Sequence, residues 1–303
     1  MIISCGHQSP TVKNKNRMKL IAESSSSKTE WVIIEGNHVL EHTFTDGINP
    51  FFQTRKEISR CIRLQLPEKF FLRKLEEIYF YGAGCSSAEK KDVVNASLVA
   101  QFRAPATVNS DLLGAARALF GEDSGIACIL DVGSNSCFYD GEHIEKNVRS
   151  LGYILGDEGS GAVLGKMFLS DCLKNLAPEA ISQEFYNVYR ITPDDVLELV
   201  YNRSFPNTFL SSISFLLAGH LDNEYVYNLI YKNIRRFFVR NLMQYDYQDH
   251  PIGFIGAIAS TYSPILRDVA KEFDLEVGEI VESSMKGLIK YHTMNIAYFN
   301  DIQ

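Results

Sequence analysis

Two stretches of this chain each end an apolar run on a carboxylate and follow it with small, donor-rich residues. In residues 125–141 the run from Ile126 to Leu130 ends at Asp131. Val132, Gly133, Ser134, Asn135 and Ser136 follow, and a second apolar run closes on Asp140-Gly141. In residues 20–36 the order is an apolar run, Glu23, the serines Ser24, Ser25, Ser26 and Ser27, then Lys28, Thr29, another apolar run and Glu35-Gly36. Even the next positions echo, Asn37-His38 in one copy and Glu142-His143 in the other. Both read as two strands around a small-residue turn. Backbone N–H groups and hydroxyls collected in two such turns could grip a polyphosphate from opposite sides. The plain alternatives are a flexible serine linker for the first and an ordinary hairpin turn for the second.

Three further places could carry chemistry. Asp111 opens an Ala- and Leu-rich helix over residues 111–120, where an aspartate is most often a cap. Asp157 sits in the glycine-dense stretch 151–165, and it or Ser160 can cap a helix over about 162–173. Bare glycines there let backbone approach a ligand. Gly256-Ala257 turns a buried strand at 252–255 into a helix expected to run to about Phe273.

The elements that must position these residues follow from periodicity. A third strand is predicted at 38–44, and a Gly/Pro loop around Asn49 comes next. Helical spacing covers 51–66. A strand at 77–80 runs into the turn holding Gly82 and Gly84, then a helix over 86–102 capped by Ser86 or Ser87, and a short strand at 107–109. Strand, glycine turn, helix, strand, helix is an α/β layer, and the repeated hairpin predicts two similar halves facing each other. Residues 225–242 carry the clearest apolar stripe, Val226, Leu229, Ile230, Ile234, Phe237 and Phe238. A last amphipathic helix is expected over 280–292. The histidines form no ligand set and read as structural.

With 303 residues, 46% hydrophobic and 22% charged, the chain can bury a large core and is expected to form two domains. A net charge of −7 provides no global field for nucleic acid or an anionic membrane. The six cysteines show no metal-ligand spacing and read as reduced thiols of a cytoplasmic protein. No apolar run reaches membrane-spanning length, and residues 209–221 suit a buried helix. Residues 1–17 lack a signal-peptide core and read as a disordered extension, or as the product of an upstream start with Met18 the functional beginning.

Five ordered motifs carry a resemblance: the 24–29 turn, Ser110-Asp111-Leu112-Leu113-Gly114-Ala115-Ala116, Gly133-Ser134-Asn135-Ser136, Gly156-Asp157-Glu158-Gly159-Ser160, and Phe254-Ile255-Gly256-Ala257-Ile258-Ala259. From Met18 onward the chain resembles the N-acetylglucosamine kinase-like proteins of the BadF/BadG/BcrA/BcrD-type ATPase family, within the acetate and sugar kinase/Hsp70/actin superfamily. The resemblance implies an α/β fold of two actin-like (ribonuclease H-like) lobes with an interlobe nucleotide/sugar cleft. Residues 18–123 would form one lobe, joined by a C-terminal helix at 286–303, and 124–285 the other. It also implies ATP and Mg²⁺ as cofactors, a small amino sugar as substrate, and transfer of the γ-phosphoryl to a sugar hydroxyl, most simply the 6-hydroxyl of N-acetylglucosamine. A homodimer is compatible with it.

Residue by residue, the resemblance makes Asp111 the general base. Ser24, Ser25, Ser26, Ser27, Lys28, Thr29, Gly133, Ser134, Gly256 and Ala257 become nucleotide contacts. Asn49, Gly84, Asn135, Gly152 and Asp157 become sugar contacts, and Glu23 the metal ligand. Two departures stand out. Glu23, Ser25 and Ser27 replace the usual Asp, Gly and Thr of the first turn, and Asp131-Val132 replaces Gly-Thr in the second. At about 5 Å and an effective dielectric near 20, Asp131 would repel a phosphate charge by roughly 3 kcal/mol. Such a cost would impair the site unless the carboxylate turns away or helps to hold Mg²⁺. The alternatives are therefore a degenerate kinase acting as a sugar or nucleotide sensor, and an activator ATPase of the BadF type. The latter needs cysteines around an iron–sulfur cluster, and no such pattern is legible.

Overall fold

The computed structural model describes residues 18–25 and 27–300, with side chains through Thr293. The expectation for residues 1–17 and the role given to Ser26 lie outside these residues.

The first sheet is built from β1 (Met18–Ser24), β2 (Lys28–Glu35), β3 (His38–Asp46), β4 (Glu77–Gly82) and β5 (Ala106–Ser110), in the order β3-β2-β1-β4-β5. The second uses β6 (Gly125–Leu130), β7 (Ser134–Tyr139), β8 (Ile144–Val148), β9 (Ile252–Ile255) and β10 (Val277–Val281), in the order β8-β7-β6-β9-β10. Each sheet is an antiparallel three-strand meander continued by two parallel strands. The two halves thus repeat one topology, as the echoed hairpins predict.

Helices α1 (Arg55–Gln65), α2 (Ala88–Phe102) and α3 (Asp111–Phe120) belong to the first half. The second carries α4 (Gly152–Leu155), α5 (Gly161–Leu173), α6 (Glu179–Tyr189), α7 (Pro193–Tyr201), α8 (Pro206–Leu217), α9 (Glu224–Arg240), α10 (Ala257–Thr261) and α11 (Ser263–Glu272). The chain ends in α12 (Met285–Asn300). Helix α1 starts later than its apolar spacing suggests because Thr54 and Glu57 form a reciprocal capping box. Ser87 and Ser160 cap α2 and α5. All six stripe residues of α9 are buried.

Two expectations are corrected. The helix after Gly256 breaks at Tyr262, where Ser263-Pro264 opens a new one, because proline is tolerated in a first turn but not in a helix interior. The last helix starts at Met285 rather than at 280, because residues 277–281 form β10, whose pairing with β9 outweighs the local pattern.

Separate cores fill the halves: Trp31, Phe70 and Phe80 anchor the first, and Phe168, Phe185, Phe237, Phe238 and Phe254 the second. Helix α12 returns to the first sheet. Met285 and Leu288 pack on Ile21, Val32, Ile34 and Tyr81, and His292 meets Tyr81 Oη at 3.0 Å. In the second half α5 and α8 touch backbone to backbone at Gly165, where an added Cβ would lie 1.9 Å from the Leu210 carbonyl oxygen. Gly165→Ala should therefore cost about 1–3 kcal/mol through overpacking, read as a lower urea midpoint at unchanged m-value.

Candidate active site

Strand register brings the proposed site residues to one edge of each sheet. In the first sheet Ser24 pairs with Gly82, and Gly82 with Ser110, so the parallel strands end level. The first turn, the Gly84 loop and Asp111 therefore leave from the same edge. In the second sheet Ile129 pairs with Ile255, and Ile255 with Val281. Asp131, Gly256 and Glu282 emerge together there. Carboxyl edges of parallel strands are where open α/β sheets bind ligands.

The two edges lie near enough for their charges to interact. The Glu23 carboxyl is pushed up to about 8, first by burial and then by repulsion from Asp111, Asp131 and Glu30, with Lys28 pulling the other way. Asp131 is raised by burial and by Glu282, and is held down by Lys28 and by the N–H groups of Ala257 and Val132. Lys28 thus offsets acids of both halves. Asp111 follows the cap residue Ser110, its Oδ1 accepts from Leu112 N–H at 2.8 Å, and burial raises its pKa.

The first turn divides its serines between structure and cleft. Ser24 and Thr29 are fully buried. Their hydroxyls lie 2.7 Å apart, Ser24 Oγ also accepts from Ile48 N–H at 2.8 Å, and Thr29 Oγ1 donates to the Asp46 carbonyl. Both side chains are thereby removed from the set of hydroxyls offered to phosphate, because burial in the strand ends has already satisfied them. Ser25 Oγ accepts from Ser27 and Lys28 N–H at 3.3 and 3.4 Å, and this rim of the turn is open.

The second turn is tight, with Asp131 N–H donating to the Gly133 carbonyl at 2.9 Å. Ser134 is 5% exposed and its Oγ has no hydrogen-bond partner among the described residues. Asp157 leans over this turn, and a Cβ at Gly133 would lie 3.0 Å from its Oδ2. Asp157 Oδ1 accepts from Ser150 Oγ and Gly152 N–H at 2.9 and 3.2 Å. Asn135 Oδ1 accepts from Ser136 N–H and Asn147 Nδ2. Gly256, at φ 125°, lies against the Leu130 carbonyl, so helix–strand packing requires this glycine. The Asp131 side chain lies against Gly256 at the start of α10, near the Ala257 N–H.

Asn49 packs on the Gly84 loop, where a Cβ would meet its Oδ1 at 2.0 Å. Asp111 in turn helps to push up the Cys85 thiol beside that loop. Asn49 and Gly84 are in contact on the first lobe, which also carries Asp111, and Asn135, Gly152 and Asp157 lie on the second.

A cavity of about 120 Å³ lies behind Ser134, Asn135 and Asp157. Glu158 and Arg240 also line it, form an ion pair, and were not visible as site residues in the sequence. Arg240 ends α9, eighty-odd positions away, and no local pattern marks it.

Among the described residues no three His, Cys, Asp or Glu side chains close around one point as a preformed metal cage. The donor chemistry nevertheless suits Mg²⁺, which takes one or two carboxylates and completes its shell with phosphate oxygens and water. Glu23 and Asp131 are the carboxylates there that could supply such oxygens.

Duplicated sheets with facing hairpin turns and a return helix define the actin-like ATPase superfamily. A candidate N-acetylglucosamine kinase from Porphyromonas gingivalis is 43% identical, with 92% of this chain and 99% of that one covered at a TM-score of 0.89. A candidate N-acetylglucosamine kinase from Chromobacterium violaceum shares the fold at 14% identity, 91% and 98% coverage and a TM-score of 0.60. A ROK family glucokinase from Streptomyces griseus, solved with glucose and AMPPNP, does so at 11% identity, 90% and 97% coverage and 0.54. No family model and no curated protein matches the chain. The chain belongs to the N-acetylglucosamine kinase-like family of the actin-like ATPase superfamily. None of its helices among the described residues is long and apolar enough to cross a membrane.

Proposed function

We propose that this protein is an ATP-dependent sugar kinase that transfers the γ-phosphoryl of ATP to an amino-sugar hydroxyl, the 6-hydroxyl of N-acetylglucosamine. The reading is carried by strand register, which brings Glu23, Asp111 and Asp131 to the carboxyl ends of the two sheets, near enough for their charges to interact. The family's candidate N-acetylglucosamine kinases support the substrate class.

In this reading the rim of the first turn (Ser25, Ser27, Lys28) and the second turn (Gly133, Ser134) hold the phosphates, while the Gly256-Ala257 turn lies under the nucleoside. Asn49, Gly84, Asn135, Gly152 and Asp157 hold the sugar. Glu23 and Asp131 would hold Mg²⁺, which when bound neutralises phosphate charge. Asp111 takes the proton from the attacking hydroxyl. Burial strengthens it as a base, and the Leu112 N–H fixes its direction. Phosphoryl transfer otherwise asks mainly for positioning and charge stabilisation.

A sugar panel with Mg²⁺ and ATP, read by product mass, tests the proposal directly. The expected result is a singly phosphorylated amino sugar. Tight sugar binding without any product would turn the reading towards a sensor. Ser134→Ala offers a second check. Its hydroxyl is buried without a protein partner, which costs about 1–3 kcal/mol. The variant should melt no lower than the parent while its KM for ATP rises several-fold.

A further inference from the structure

The lobes also meet at a place that the phosphate-type turns do not use. Phe51 and Phe52 follow the Asn49 loop of the first lobe, and Phe205 precedes α8 of the second. All three are exposed, at 67%, 62% and 59%, yet their rings touch. Phe51 and Phe52 pack edge to face at 5.1 Å, and Phe52 meets Phe205 across the lobes at 5.8 Å and 87°. Edge-to-face contacts add attraction beyond burial.

Each ring is tied to a different part of the proposed site. Asn49 Oδ1 accepts from Phe51 N–H at 3.0 Å, and the Gly84 loop touches both Asn49 and Phe51. Phe205 is held by α8, which packs on α5 at Gly161 and Gly165. The first N–H groups of α5 donate to the carbonyls of Asp131 and Val132. One ring is therefore tied to the acceptor loop and the other, through α8 and α5, to the second turn. Phe205 also sits in the left-handed region, at φ 57° and ψ 50°, which is unfavourable for an aromatic residue. A residue serving only to turn the chain there would be better as glycine.

We propose that Phe52 and Phe205 form an aromatic clasp across the cleft mouth at its acceptor end, parting to admit the sugar and meeting again to hold it. This rests on the sugar-kinase reading for the identity of what passes. The clasp itself is testable without turnover, by hydrogen exchange of the intact protein with Phe205→Gly and Phe205→Tyr.

Phe205→Gly should speed exchange in residues 47–54 of the opposite lobe by about two- to tenfold, the range an aromatic pair supports. Phe205→Tyr should leave it near the parent value. Calorimetry with N-acetylglucosamine should show affinity falling several-fold in Phe205→Gly, with ATP affinity unchanged. Unaltered exchange at 47–54 in Phe205→Gly would overturn the clasp. Altered exchange with unaltered sugar affinity would overturn its role in acceptor access. If the parent binds no sugar while exchange still responds, the clasp stands and the substrate reading falls.

Discussion

Replacing Asp111 with asparagine is expected to lower kcat by about 10²–10⁴-fold, the usual contribution of a positioned general base, while sugar affinity stays within a few-fold. The substitution keeps the size of the side chain and its amide oxygen can still accept from Leu112 N–H, now 2.8 Å from Oδ1. Ser110, not Asp111, caps α3 through Leu113 N–H, so the helix should survive. Melting temperature and sugar binding report that survival, and rapid-quench measurement of product isolates the chemical step. Retention of most of the parent's turnover would remove Asp111 from the mechanism and leave its carboxylate as a first-turn charge on α3.

The second large effect concerns pH. The Glu23 carboxyl, near 4.5 when unperturbed, is pushed up to about 8 in the folded protein by burial and then by the acids around it. Between those values the folded state keeps a proton that the unfolded state has released, so stability falls as pH rises and levels off above about 8. Glu23→Gln removes that slope. At pH 8.5 it should raise stability by on the order of 2 kcal/mol, allowing for the water that reaches a half-buried side chain. Near pH 4.5 the variant and parent should differ little. Thermal melts across this range read the effect. Mg²⁺ with a non-hydrolysable nucleotide should stabilise the parent more at pH 8.5 than at pH 6, because an ionised Glu23 is the better ligand. The variant should lose that difference. A parent curve without the slope would mean that Glu23 stays ionised beside Asp111 and Asp131.

Asp131 shows how context changes a residue's meaning. Next to a phosphate it reads as repulsion of a few kcal/mol. In the fold it sits at the start of α10, where the Lys28 charge and the N–H groups of Ala257 and Val132 favour its ionised form against burial. Its charge is thus partly spent on the start of α10, where a negative group is favourable.

By itself the sequence determined what is local. The two hairpins, the helix from Asp111 to Phe120, the buried stripe of α9 and the strand before Gly256 all follow from patterns within about twenty residues, since periodicity and caps act at that range. The echo between Glu23 and Asp131 also foretold two alike halves. Tertiary structure decided what depends on partners distant in sequence. β10 is a strand because β9 lies beside it, and Ser24 and Thr29 are structural because Ile48 and Asp46 reach their hydroxyls. Glu158 meets Arg240, and Phe52 meets Phe205, across gaps that no periodicity spans. Burial and charge are properties of the assembled neighbourhood. A run of serines can state that donors are present, but only packing decides which of them still has a hydrogen bond to give.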